Sequence, residues 1–422
     1  MRRATLLAAL TAACAGAWGE VLQAQAARTC FVEVDSTGGI QRQLDAGRGF
    51  VRWYSGGGVW AHCVGQNTFW YSDSVAWYQD QDRFDMIGRV NFRDSTAQLT
   101  ADRASYFLGQ ERLDAFGNTR LRNRATGSVL RGPNLRYFRR LPGVRDTTLL
   151  TATQRPTIEY RSADDTVGAE PYLIVADRVE MRGNTAARGW GSVTIDRSDF
   201  HGRSDSALLD TGVEAGRLMS QATVDGGITS GYHLAGRDIR FRLARKKLVW
   251  VQAEGEADAT SLEWRLVADT VQFDLADDRI QGGNAWGDSL RPEATSLSTV
   301  MVADSLAITA PSQVLEEVRG VGQSVARSRR DSTDAEPDWV AGDTVTARFG
   351  PTASGSRALS EILALGAARA LYRVYPLGAT TPDLSYSRGD RILARFADER
   401  LVRVDVVGGA DGVYLEAPRR TP

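Results

Sequence analysis

The chain has 422 residues, and 51 Lys plus Arg nearly cancel 52 Asp plus Glu, so no net field draws it to nucleic acid or to an anionic surface. Nearly all of the cations are Arg, with Lys246 and Lys247 the only lysines. Three His and three Cys, none at metal-ligand spacing, give no reason to expect a metal site or a cofactor.

Taken in order, the chain opens with Arg2 and Arg3, an apolar stretch from Ala4 to about Ala17, and Ala24-Gln25-Ala26. This fits a cleavable secretory signal over residues 1–26, and the stretch is too short and alanine-rich for a membrane span. Thr11-Ala12-Ala13-Cys14 resembles a lipoprotein cleavage box but lacks its aliphatic residue, so export takes precedence over an outer-membrane lipoprotein. An oxidising compartment would permit a bridge between Cys30 and Cys63, closing a loop worth about 3–4 kcal/mol. Two buried free thiols are the alternative.

Strands are expected at Cys30–Val34, Gly49–Tyr54 and Val59–Cys63. From Phe69 to Asn123 two copies of one unit follow: a strand carrying small-Asp-x-apolar, a polar turn, and a strand carrying Gly-x-apolar. The first contains Ser72-Asp73-Ser74-Val75 and Gly88-Arg89-Val90; the second contains Ala101-Asp102-Arg103-Ala104 and Gly117-Asn118-Thr119. At period 2, Phe84, Met86, Val90 and Phe92 share one face and charged residues take the other, the pattern of a half-buried strand.

Residues 27–127 are thus read as N-terminal repeats. Residues 128–169 form an irregular β segment in which Asp and Gly fall out of phase. Over residues 170–417 the motif returns at Asp177, Asp205, Asp238, Asp269, Asp304, Asp343 and Asp390. Partner glycines are expected at Gly255, Gly283, Gly320 or Gly322, and Gly366. Exposed loop insertions are read near 324–337 and 373–382, and a tail at 418–422. No stretch keeps helical periodicity.

The repeated Asp reads as structural, accepting backbone N–H groups that the strand ladder leaves open. The glycine suggests a bulge or a close backbone approach. The apolar face runs through Val75, Trp77, Phe84, Met86, Val90, Phe92, Tyr106 and Leu113. Periodicity does not distinguish a filled core from an open groove. His201, Ser204 and Asp205 include triad residue types, but they lie within one strand and alternate faces, so catalysis is not expected. Trp53, Trp60 and Trp70 could stack on sugars, although structural packing is the simpler reading.

The paired motifs from Ser72 to Thr119 resemble the repeat of the OstA-like (organic solvent tolerance) family. That family includes the periplasmic lipopolysaccharide-transport protein LptA and the periplasmic N-terminal domain of LptD. The resemblance implies an all-β, elongated, repetitive antiparallel β-jellyroll of two twisted sheets folded in a V. It implies a non-enzymatic carrier bridging inner and outer membrane, binding lipopolysaccharide or lipid A. The implied groove would be lined by Val75, Trp77, Phe84, Met86, Val90, Phe92, Tyr106 and Leu113. Implied partners are other jellyroll proteins, by edge-strand pairing, and further copies of the chain, head to tail. The chain is longer than a single bridge protein of that family and lacks the membrane-barrel strands that follow the domain in LptD. A secreted β-repeat protein that binds polysaccharide, or a structural or adhesin-like array, is the competing expectation.

Overall fold

The computed structural model describes residues 30–161 and 170–417, apart from positions 184, 199, 227–230, 245–246, 278, 297–298, 329–336, 352–356, 376–380 and 398–399. The expected secretory signal, Cys14 and the C-terminal tail therefore lie outside the described residues, as do most of the insertion near 324–337 and the centre of that near 373–382.

Among the described residues there are 28 strands in one continuous antiparallel sheet, with three 3₁₀ turns and no α-helix. The first are β1 (Val32–Thr37), β2 (Gln41–Gly47), β3 (Phe50–Cys63), β4 (Phe69–Tyr78), β5 (Arg83–Arg93), β6 (Ala97–Phe107), β7 (Arg112–Asn123) and β8 (Val129–Phe138). Then come β9 (Leu149–Thr153), β10 (Thr157–Tyr160), β11 (Tyr172–Val175), β12 (Arg178–Arg182) and β13 (Ala186–Arg197). Each long strand pairs with its neighbours in sequence, and each pairing between them is interrupted mid-strand by a register shift. In the β5–β6 pair, Ile87 faces Arg103 and Val90 faces Ala101, so Gly88 and Arg89 stand opposite Asp102 alone. One extra residue on one strand is a β-bulge, which bends the strand and sharpens its twist.

The repeated motif is this bend. Gly88 has φ +78° and Arg89 φ +43°, and the same left-handed pair recurs at Gly117-Asn118, Gly191-Ser192, Gly255-Glu256, Gly322-Gln323 and Gly366-Ala367. Two successive left-handed residues are unfavourable for side chains with a Cβ, so glycine takes the first place. It also leaves room: a Cβ on Gly88 would overlap the Asp73 carboxylate, and one on Gly366 would overlap Asp343. The Asp side chains tie the bend down. Asp269 accepts from the N–H groups of Ser289 (2.8 Å) and Leu290 (3.1 Å), Asp102 from Asn118 Nδ2 (2.8 Å), and Asp73 from Arg89 Nε (2.8 Å). The small residue before the Asp, as at Ser72, Ala101, Ala176, Ala268 and Ala303, is buried on the inside of the bend.

The stretch expected to be irregular obeys the same rule in another guise. β8 pairs with β9 through Asn134–Phe138 and with β10 through Val129–Arg131, so β9 and β10 are the two arms of one bent strand. Gln154 (φ +64°) and Arg155 (φ +57°) make its bend without glycine. β11 and β12 are the arms of the next, with Asp177 between them. One expected partner glycine also moves: the bend facing Asp269 is at Gly287, whereas Gly283 is tight against Phe273.

The bends divide the sheet lengthwise. One half, here half-sheet I, holds β2, β9, β12 and arms such as Ser74–Tyr78, Arg83–Ile87 and Arg103–Phe107. Half-sheet II holds β1, β10, β11 and arms such as Phe69–Tyr71, Val90–Arg93 and Ala97–Ala101. Cys30 and Cys63 form a disulfide at the start of the array.

Candidate functional site

The two halves face each other. Eleven residues of β6, fully extended, would put its ends about 33 Å apart. Yet Arg139 reaches residues beyond both ends: its Nη1 lies 2.8 Å from Glu111, which follows β6, and its Nε 3.5 Å from Asp94, which precedes it. Strands folded over at the bend enclose an apolar interior, with the strand-to-strand turns forming two free margins. This interior is the candidate site.

The interior residues expected from the sequence do converge there. Val75, Phe84, Met86, Val90, Phe92, Tyr106 and Leu113 are buried in one continuous core, and Trp77 packs against it half-buried. Around them the space is filled. Trp70 from half-sheet II contacts Phe84 and Tyr106 of half-sheet I at centroid distances of 6.2 and 5.3 Å, and Phe92 contacts Tyr137 at 6.2 Å. Trp70, one of the aromatics considered for sugar stacking, is thus an interior residue. Trp53 packs against the core, and Trp60 stays exposed on the outer face, 4.7 Å from the Tyr71 ring.

Arg139 latches the margins above these rings. Besides Glu111 and Asp94 it donates to Gln66, in the turn between β3 and β4, at 2.8 Å. Tyr106 donates to Glu111, and Tyr137 donates to Asp94 at 3.1 Å. Asp94 also accepts from the N–H groups of Thr96 and Ala97, both at 2.7 Å. Burial works against the Arg139 charge, but Tyr106 and Glu111 outweigh it and raise its pKa. Burial pushes both phenols up, Tyr106 against the pull of Arg139, so they remain donors. A charge network buried this well holds only while every partner is present. Nothing in the repeat marks Arg139; only its position after β8 places it here.

Two small recesses remain between the halves. One recess, of about 50 Å³, is walled by Leu121, Leu130, Leu150, Ile158 and Met181, with Ser128 among its polar lining. A second, of about 20 Å³, lies between Trp264 and Thr299 of half-sheet II and Ile308, Val318 and Phe349 of half-sheet I. The other ion pairs found among the described residues stay within one half or sit at a bend, as with Arg348–Glu317 and Arg291–Asp304.

The residues considered for catalysis are not brought together. His201 Nδ1 pairs with Asp196 at 3.1 Å, while Ser204 Oγ donates to the Ser206 carbonyl at 2.9 Å. No group of three or more His, Cys, Asp or Glu suited to a metal occurs among the described residues.

No family model matches this chain, and no curated protein matches it.

Proposed function

We propose that the chain is an open β-jellyroll of the OstA-like kind, two sheets in a V, working as an exported, periplasmic, non-enzymatic carrier of lipopolysaccharide or a related lipid. The observation that carries this reading is the folding of strand after strand at a glycine–aspartate bend. It turns a period-2 apolar face into a continuous interior with free margins on one side. A buried methylene contributes about 0.8 kcal/mol, so such an interior suits acyl chains whose headgroups remain in water.

The ends of the array support partner docking. β1 and β2 pair only with β3 among the described strands, and Arg400–Val407 and Asp411–Leu415 pair only with Asp383–Ala397. Val402, Val413, Tyr414 and Leu415 are exposed there. Open edges of this kind accept a strand from another jellyroll or from a second copy, head to tail.

The test is native mass spectrometry of the mature protein from an envelope containing lipopolysaccharide, with delipidated protein as control. Glycolipid should co-purify with the wild type and be lost in Phe349→Asp, which puts a charge on the wall of the second recess, while circular dichroism still reports folded sheet. A folded wild type that takes up no lipid, even with excess lipid A, sinks the reading. The filled interior beneath the latch would then favour a structural array, and the exposed Trp60–Tyr71 pair a polysaccharide binder.

A further inference from the structure

The second recess contains two polar groups that the fold leaves without partners. Trp264 begins the strand Trp264–Ala276 at the free margin of half-sheet II, and Thr299 begins Thr299–Val302 two strands away. Both residues are 4% exposed. The backbone of Thr299 is satisfied by Ser296 Oγ, yet its own hydroxyl has no hydrogen-bond partner among the described residues, and neither has the indole N–H of Trp264. Buried polar groups of this kind are destabilising unless something completes them, and these two, unlike the unpartnered indole N–H groups of Trp70 and Trp77, belong to residues that line one of the two recesses.

Their chemistry limits what that could be. An indole N–H only donates, so the missing group is an acceptor. Ile308, Leu315, Val318 and Phe349 make the facing wall apolar, so the acceptor must sit on an otherwise apolar body. A phosphate or a sugar, with several polar oxygens, would lose most of its hydration there for only two donors. A carbonyl has two lone pairs, one for the indole N–H and one for the hydroxyl.

We propose that this recess seats the start of an acyl chain, with the ester or amide carbonyl of the lipid accepting from Trp264 Nε1 and Thr299 Oγ1. The proposal rests on the lipid-carrier reading and names its anchoring site. At about 20 Å³ the recess holds little more than a water in this form. The chain therefore enters as the margins part about the bend, in a section that the Arg139 latch does not span.

Three probes test this: lipid A, a diacyl phosphatidylethanolamine, and its dialkyl ether analogue, which lacks the carbonyls. Whichever acylated probe binds identifies the lipid source. Wild type should bind the ester lipid roughly 5- to 100-fold more tightly than the ether, the range of two net hydrogen bonds. Trp264→Phe and Thr299→Val should each reduce that preference while melting no lower than wild type, because an unpartnered polar group has been removed. Ala347→Phe, which fills the recess, should abolish binding without loss of sheet. Equal affinity for ester and ether in the wild type, or variants that melt lower yet keep the preference, overturns the proposal alone. Failure of the wild type to bind any probe overturns the carrier reading, and this proposal with it.

Discussion

The section from β3 to β8 and the section from Ala253 to Ala394 are built on the same bend and enclose different interiors. The first holds four of the five bulkiest fully buried side chains, Trp70, Tyr106, Phe84 and Phe92, the fifth being Phe273 of the second, and is tied across its margins by Arg139. The second is lined largely by alanines and aliphatics, among them Ala257, Ala268, Ala285, Ala303 and Ala364, and contains the recess at Trp264. One repeat can thus produce a section packed by rings under a latch, with a recess of about 50 Å³ only at its far end, or one packed by small side chains with no such latch among the described residues. Interior side-chain volume and a latch make the difference, since the bend itself is common to both.

The largest expected effect breaks the latch. Arg139→Gln leaves Glu111 and Asp94 buried without their cation, a loss of about 3–5 kcal/mol. Urea denaturation should show it, and Arg139→Gln combined with Glu111→Gln should recover part. A loss under about 1 kcal/mol would mean that the margins are held by ring packing alone.

Next in size is the bridge. Cys63→Ser should remove about 3–4 kcal/mol, the chain-entropy value for a loop of this length. The loss should appear as early proteolysis of the section nearest Cys30, while the later section resists. Uniform proteolysis along the chain would show that the two sections do not unfold separately.

Substitution at the bend should treat the sections alike. Gly88→Ala and Gly366→Ala each force a Cβ into a left-handed position beneath an Asp and should destabilise by about 1–3 kcal/mol. Clearly unequal losses would show that the bend is not the shared device.

The smallest effect concerns acid. In the later section Arg265 hydrogen-bonds Asp258 at 2.5 Å and holds its pKa below the ordinary 3.8. A depressed carboxylate contributes stability above its unfolded pKa and loses it as pH falls through the folded value. The pair is half-exposed, so Asp258→Asn should remove only about 0.3–0.5 kcal/mol, seen near neutral pH and vanishing on acidification through the depressed folded value, below the ordinary 3.8. An effect that persists in acid would assign the contribution to packing.

Much of the fold was legible in the residues because its signals are local. A left-handed corner demands glycine and its neighbour a short carboxylate, so Asp73 with Gly88 and Asp343 with Gly366 could be read as a repeat. Where local chemistry allows substitutes the signal vanished: Gln154-Arg155 and Ser220-Gln221 make the same bend without glycine, and the stretch around 128–169 looked irregular although its strands stay in series. Gly283 misled because it too is a small residue in a strand, tight against Phe273 rather than at a corner.

Residue order alone specified the strands, the face each residue takes and the position of most bends, since period 2 and backbone sterics act between neighbours. It left open whether that face is a core or a groove. What residue order does not contain is the closure of the interior, where Asp94 and Glu111 from opposite ends of one strand meet on Arg139. Such contacts depend on how far two half-sheets close, a distance set by the summed volumes of side chains remote in the chain.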